Sequence, residues 1–130
     1  MSHITHTILL YRSMEDERAR LAEVNRYFRF EPGDKPGFVS AEDTTLPLHW
    51  YGGTKMLQCG VALGVHNYLY LAGLVRHLRG RVYWTAPGYV QLCYREEDDE
   101  RFRLLDIDSP EAAALVVGVI LEDDPDDGTP

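Results

Sequence analysis

MLQCGVALGVHNYLYLAGLVRHLRG, residues 56–80, decides the fold. Its first part alternates, with Leu57, Cys59, Val61 and Leu63 on one side of an extended Met56–Leu63 segment, the period of a strand with one apolar face. Beyond Gly64 the period changes. Tyr68, Leu71, Ala72, Val75 and Leu78 recur at helical spacing, which predicts an amphipathic helix. Asn67 is suited to cap its start, Arg76, His77 and Arg79 complement the negative end of its dipole, and Gly80 stands where a helix commonly stops. A strand feeding a helix, each with one apolar side, predicts a helix lying on a sheet.

Toward the N-terminus, Ile4 to Tyr11 also alternates. Ile4, His6, Ile8 and Leu10 take one face and Thr5, Thr7, Leu9 and Tyr11 the other, so the strand has a second face that is solvated or partly covered. Ser13 before Met14-Glu15-Asp16-Glu17 predicts a helix start, and Met14, Leu21, Val24 and Phe28 continue as one stripe, with Arg18, Arg20 and Arg26 toward solvent. Glu31-Pro32-Gly33-Asp34-Lys35-Pro36-Gly37 is a loop by composition. Phe38–Ser40 is a short strand, and LHWY-GG-TKML, centred on Gly52-Gly53, is a hairpin.

On the C-terminal side, Arg81–Trp84 is extended, and Tyr89–Arg95 and Arg101–Ile107 form a second hairpin around the charged tip 96–100. Ser109-Pro110-Glu111 starts a helix, yet the valines and isoleucine of 115–121 suit a strand equally, so residues 110–121 are open between the two. The order β-α-β-β-β-α-β-β predicts an α+β two-layer sandwich: a mostly antiparallel sheet with two main helices on one face. Residues 1–121 form a single domain and 122–130, with five acids and two prolines, an acidic disordered tail. An uncovered face or edge of such a sheet makes a homo-oligomer reasonable.

The chain's 130 residues bury roughly 65–70% of the unfolded surface, so the core needs no staple of metal or disulfide. Cys59 and Cys93 show no CxxC spacing and read as buried thiols of a reducing compartment. With no apolar run near ~20 residues and no signal-peptide pattern, the expected address is the cytoplasm, with no membrane partner. The net charge of -8 is zoned. Residues 44–95 hold no acid but five Lys and Arg, together with eight of the fourteen aromatics; after Arg95 come thirteen acids against Arg101 and Arg103. A basic, aromatic middle followed by an acidic end suits an anion-binding face, an acidic docking surface, or a tail folded over its own basic face.

Constellations with chemistry are sparse. His3 and His6 project to opposite faces of a strand, poor geometry for zinc. Asp106 and Asp108 could hold a cation or act as an acid and base pair, though a strand exit uses the same residues. Gly52-Gly53-Thr54-Lys55 resembles part of a phosphate cradle but serves a hairpin turn as well. Neither a metal nor a cofactor is expected.

Two functional expectations follow. In the first, a small non-catalytic protein-binding module of immunity, inhibitor or regulatory type docks on a basic protein partner through Glu96, Glu97, Asp98, Asp99 and Glu100. In the second, Lys55, Arg76, Arg79 and Arg81 hold a small anionic or nucleotide-like ligand between Trp50, Tyr51, Tyr83 and Trp84. The net negative charge disfavours nucleic acid. An enzyme built on Asp106, Asp108 or Cys59 ranks last.

Overall fold

Ile4–Arg12 forms β1, the middle strand of a five-stranded antiparallel sheet. The structure is a computed structural model that describes residues 3–12, 15–28, 37–41, 51–52, 55–56 and 59–117. β1 pairs along its whole length with β5 (Cys59–Asn67), and from Thr5 to Leu10 with β6 (Gln91–Glu96). The edge strands are β2 (Val39–Ser40) and β7 (Arg103–Asp106), giving the order β2-β5-β1-β6-β7. β3 (Tyr51–Gly52) and β4 (Lys55–Met56) make a separate two-stranded ladder where the paired glycines predict a turn. Helices α1 (Glu17–Asn25), α2 (Leu71–Gly80) and α3 (Pro110–Val117) complete an α+β fold. Ser13, Met14, the loop 29–36, the hairpin arm 48–50 and the tail 118–130 lie outside the described residues.

The core is one layer between helices and sheet. Ala62, Leu9, Leu92 and Leu105 form a row across four strands, each directly beside the next, and all are buried. Val24 of α1, Leu74, Val75 and Leu78 of α2 and Ala112 of α3 belong to the same cluster, while Leu21 and Leu71 pack against its border. Tyr11 crosses its neighbour Gly60 so closely that an added Cβ there would lie 2.1 Å from the ring. The absent side chain makes room for the aromatic.

Several local expectations are corrected. The face of β5 carrying Cys59, Val61 and Leu63 points away from the helices. Ala62, Gly64 and His66 point inward, and the strand continues to Asn67. Cys59 is therefore a half-buried residue of the outer face and not a core thiol. It and Cys93 lie on opposite sides of β1, beside Arg12 and Ile8, and both are free. Asn67 does not cap α2: its Oδ1 accepts from the His3 N–H at 3.0 Å, and Tyr70 occupies the cap position. Tyr68, with φ of 56°, makes the bend instead of joining the helical stripe. Gly80 is the last helical residue, and Arg81 is the C-cap, in right-handed conformation. His77 is buried, its Nε2–H donating to the Glu23 carbonyl of α1 at 2.7 Å. Arg81–Trp84 is not a strand of either sheet among the described residues. The open segment from 110 resolves as helix through Val117, with Ser109 Oγ accepting from the Ala112 N–H.

Side chains fasten the irregular segments to this frame. Asn25 makes a two-way bridge to the main chain of Phe38, Nδ2 donating to the carbonyl at 2.9 Å and Oδ1 accepting from the N–H at 2.8 Å. This substitutes for a strand pair and docks the β2 edge on α1. Glu15, buried ahead of α1, accepts from the N–H groups of Thr85 and Ala86 at 3.0 and 2.9 Å. Trp84 Nε1–H reaches the Leu78 carbonyl at 3.0 Å.

Leu74→Ala should cost about 2–5 kcal/mol in denaturant titration, because its site is sealed, whereas Val117→Ala, 86% exposed, should stay within about 0.5 kcal/mol of the parent. Asn25→Ala leaves both Phe38 main-chain groups without this partner and should cost about 1–3 kcal/mol.

Candidate functional site

The inner face of the sheet changes character along its strands. Next to the apolar row lie Gly64, Thr7 and Tyr94, and next to those His66, Thr5 and Glu96, in register across β5, β1 and β6. Thr5, Thr7 and His66 are buried, so this end of the interior is polar.

Two hydrogen-bond sets organise it. Thr7 Oγ1 lies 3.0 Å from the Gly64 carbonyl and 2.8 Å from His66 Nε2. A hydroxyl has one proton. Both bonds form together when His66 carries its proton on Nε2 and donates to Thr7, which donates in turn to Gly64. The imidazole stacks on Phe28 at 4.7 Å and 8°, and touches Phe38 at 5.2 Å. Burial among these rings pushes its pKa down to about 4. A Cβ on Gly64 would meet the Gly37 carbonyl at 2.4 Å and the His66 ring at 2.7 Å, so glycine is required for this close approach.

The second set lies at the margin. Glu96 Oε2 accepts from Thr5 Oγ1 at 2.8 Å and is 2.6 Å from His3 Nε2. Glu97 Oε1 accepts from the Ile4 N–H at 3.3 Å. Within the turn beyond, the Asp99 N–H donates to the Glu96 carbonyl, Arg95 Nη1 donates to the Asp99 carbonyl at 2.9 Å, and Arg103 pairs with the Asp99 carboxylate at 3.6 Å. The acidic hairpin tip is thus braced by its own charges. Glu96 and Asp99 are used inward, and Glu97, Asp98 and Glu100 are exposed.

Chemically, the Thr7–His66 part of the buried polar row is closed on itself. The Thr7 hydroxyl and the imidazole end on the Gly64 carbonyl, and the Thr5 hydroxyl ends on Glu96, which suits a structural relay better than a nucleophile. In this set, among the described residues, His3 and Glu96 are partly exposed and stand where an outside group could reach them. Sequence reasoning names Glu96 only as a docking charge and misses its company with Thr5, Thr7 and His66, because these residues come from three strands far apart in the chain. The alternation of Thr5 and Thr7 opposite Ile8 and Leu10 points, if anything, the wrong way.

Of the basic, aromatic set, Arg79 donates to the Ile107 carbonyl at 2.6 Å and Trp84 is packed 5.7 Å from Tyr11. Arg76 and Arg81 are half-buried. Tyr83 is exposed, while its main-chain N–H donates to Glu23. Trp50 and the side chains of Tyr51 and Lys55 lie outside the described residues. Asp106 accepts from Gln91 on the outer face, and Asp108 is exposed before Ser109. Among the described residues no group of three or more His, Cys, Asp or Glu is arranged to hold a metal ion, and no helix is long and apolar enough to cross a membrane. Comparison with protein-family models, curated proteins and solved structures finds no match to the chain.

Acid should destabilise the protein in two windows. His66, neutral when folded, takes up a proton on unfolding, so stability is full above the ordinary histidine value and falls as pH drops from ~6.5 toward ~4, by at most about 3 kcal/mol. For Glu15, burial raises the pKa, but the Thr85 and Ala86 hydrogen bonds with the nearby Arg20 charge outweigh it and hold the carboxyl below its ordinary value. Its contribution is lost in the lower window, as pH falls through that depressed value. Chemical denaturation against pH should show the upper loss abolished in His66→Gln and retained in Glu15→Gln.

Proposed function

We propose that the protein is a small non-catalytic protein-binding module, of inhibitor, immunity or regulatory type, that docks on a basic partner through the β6–β7 tip. The observation that carries this reading is the bracing of the tip. Arg95, Arg103 and the Glu96 main chain hold the turn in one shape, while Glu97, Asp98 and Glu100 face solvent. A rigid, preorganised array of like charge loses little entropy on association and steers an oppositely charged partner. The closed inner relay supports a role without turnover, and the cytoplasm suits the two free thiols.

Bait retrieval followed by titration of the identified partner tests this. Asp98→Asn with Glu100→Gln should lower the association rate about tenfold at low salt, a difference that shrinks as added salt screens the charges. The melting temperature should hold, because neither carboxylate fastens the tip. Glu96→Gln should reduce stability as well, since Thr5 and His3 lose a charged acceptor. Binding indifferent to Asp98 and Glu100, or a nucleotide-induced thermal shift lost in Arg76→Ala, would favour the anionic-ligand reading instead.

A further inference from the structure

β1 and β5 turn their more apolar sides away from the helices. On β1 the outer residues are Ile4, His6, Ile8 and Leu10 against an inner set that includes two threonines; on β5 they are Cys59, Val61, Leu63 and Val65 against glycines, Ala62 and His66. A monomer gains by the opposite choice, since burial of apolar surface drives folding and buried polar groups must be satisfied.

The outer face is ordered in rows. Val39, Leu63, Ile8, Cys93 and Leu104 stand side by side, one from each strand of the sheet. No charge interrupts this row, and Val39, Leu63 and Leu104 are 51, 44 and 57% exposed. On one side of it lie Val65, His6 and Arg95, and on the other Val61, Leu10, Gln91 and Asp106. The cation is therefore on one flank and the anion on the other, with the apolar row between.

We infer that this face binds a second copy of the chain, sheet against sheet, about a two-fold axis that runs along the Val39–Leu104 row. That operation lays each row residue against its own counterpart and exchanges the flanks. Arg95 then faces the partner's Gln91 beside the partner's Asp106, in a pair already joined within each chain by a Gln91–Asp106 hydrogen bond of 2.9 Å. The alternative two-fold, parallel to β1, would stack His6 on His6 and set Arg95 over Val65 without a counter-charge. Five strands at ~4.8 Å spacing make the face about 24 Å wide, and aligned sheet packing accommodates it at ~10 Å separation. Ile8 and Cys93 at its centre are half-buried, and an apolar row open to solvent at both ends in this way suits an association site. The inference shares Arg95 with the tip, whose main chain that side chain braces, and otherwise stands apart from the acidic-tip reading, because Asp98 and Glu100 lie beyond the paired rows.

Sedimentation equilibrium of the full chain tests it. The expected mass is twice 14.8 kDa. Leu104→Lys should give the single-chain mass with an unchanged circular dichroism spectrum. Arg95→Asp and Asp106→Arg should each weaken association about tenfold, and the double exchange should restore it to near the parent value, as only facing flanks predict. Asp98→Asn with Glu100→Gln should leave the mass unchanged, which separates failure here from failure of the docking reading. A single-chain mass at every concentration, a dimer indifferent to Leu104→Lys, or charge exchange without rescue would each overturn the proposal. So would a Leu63→Lys variant that loses thermal stability with no dimer to lose, since another segment of the same chain would then be the cover.

Discussion

Everything in the fold is registered to β1. It has a partner on both sides over most of its length, so its pleat determines which residues of β5 and β6 share a layer, and through β6 which residues of β7 do. Leu9 is the clearest case. It lies between Ala62 and Leu92, with Leu105 one strand further, and all three helices add side chains to that row. A one-residue slip of β1 would send Leu9 to the outer face and carry Ile8 and Leu10 inward. Tyr11 opposes the slip at one end, its ring fitted across Gly60 and its hydroxyl donating to Glu17 of α1. At the other end Thr7 is tied to Gly64 and His66.

The regular elements leave much backbone unpaired, and buried backbone groups must find partners. Here they find side chains. Glu15 takes the Thr85 and Ala86 amides, Asn25 both main-chain groups of Phe38, Arg79 the Ile107 carbonyl, Trp84 the Leu78 carbonyl and His77 that of Glu23. Each bond adds only ~1 kcal/mol net, yet leaving one of these groups unsatisfied in the interior costs more. They act as selectors of one loop arrangement. They also give Arg79 of α2 a task within the fold, closing the gap to the end of β7.

The helix period was legible at α2 because Leu71, Val75 and Leu78 lie on one stripe, with Leu74 added by the same spacing. The second hairpin was legible from its alternation and charged turn. At α3, β-branched residues masked the helix, and the Ser109 cap decided it. What could not be read was the sense of the sheet. Alternation shows that Ile8 and Leu9 face opposite ways but is silent on which way is in, and the usual rule, that the more apolar side is buried, fails on β1 and β5. The polar row failed for a related reason. A buried Thr5, Thr7 or His66 is stable only through partners distant in the chain, and no local pattern reports those partners. The acidic tip was visible as a charge run, but the division between bracing and exposed carboxylates depends on the turn's geometry.

The inverted faces and the charge distribution bear on each other. A chain of net charge -8 repels its own copies, and a dimer that placed the acidic tips together would concentrate that repulsion within a Debye length, ~8–10 Å. The two-fold along the apolar row does the reverse. The tip follows the Glu96 end of β6, beside the N-terminal end of β1, while exposed Arg12 stands at the other end of β1 over the Tyr89 ring, 5.5 Å from its centroid. Exchanging the ends carries each tip toward the partner's Arg12 end and away from the other tip. The proposed rotation, which would give Arg95 a counter-charge, would therefore also disperse the acids, and both follow from the order of residues along β1 and β6. An apolar row free of charge at the centre, with Arg95 on one flank and Asp106 on the other, suits an isologous contact that exchanges its flanks.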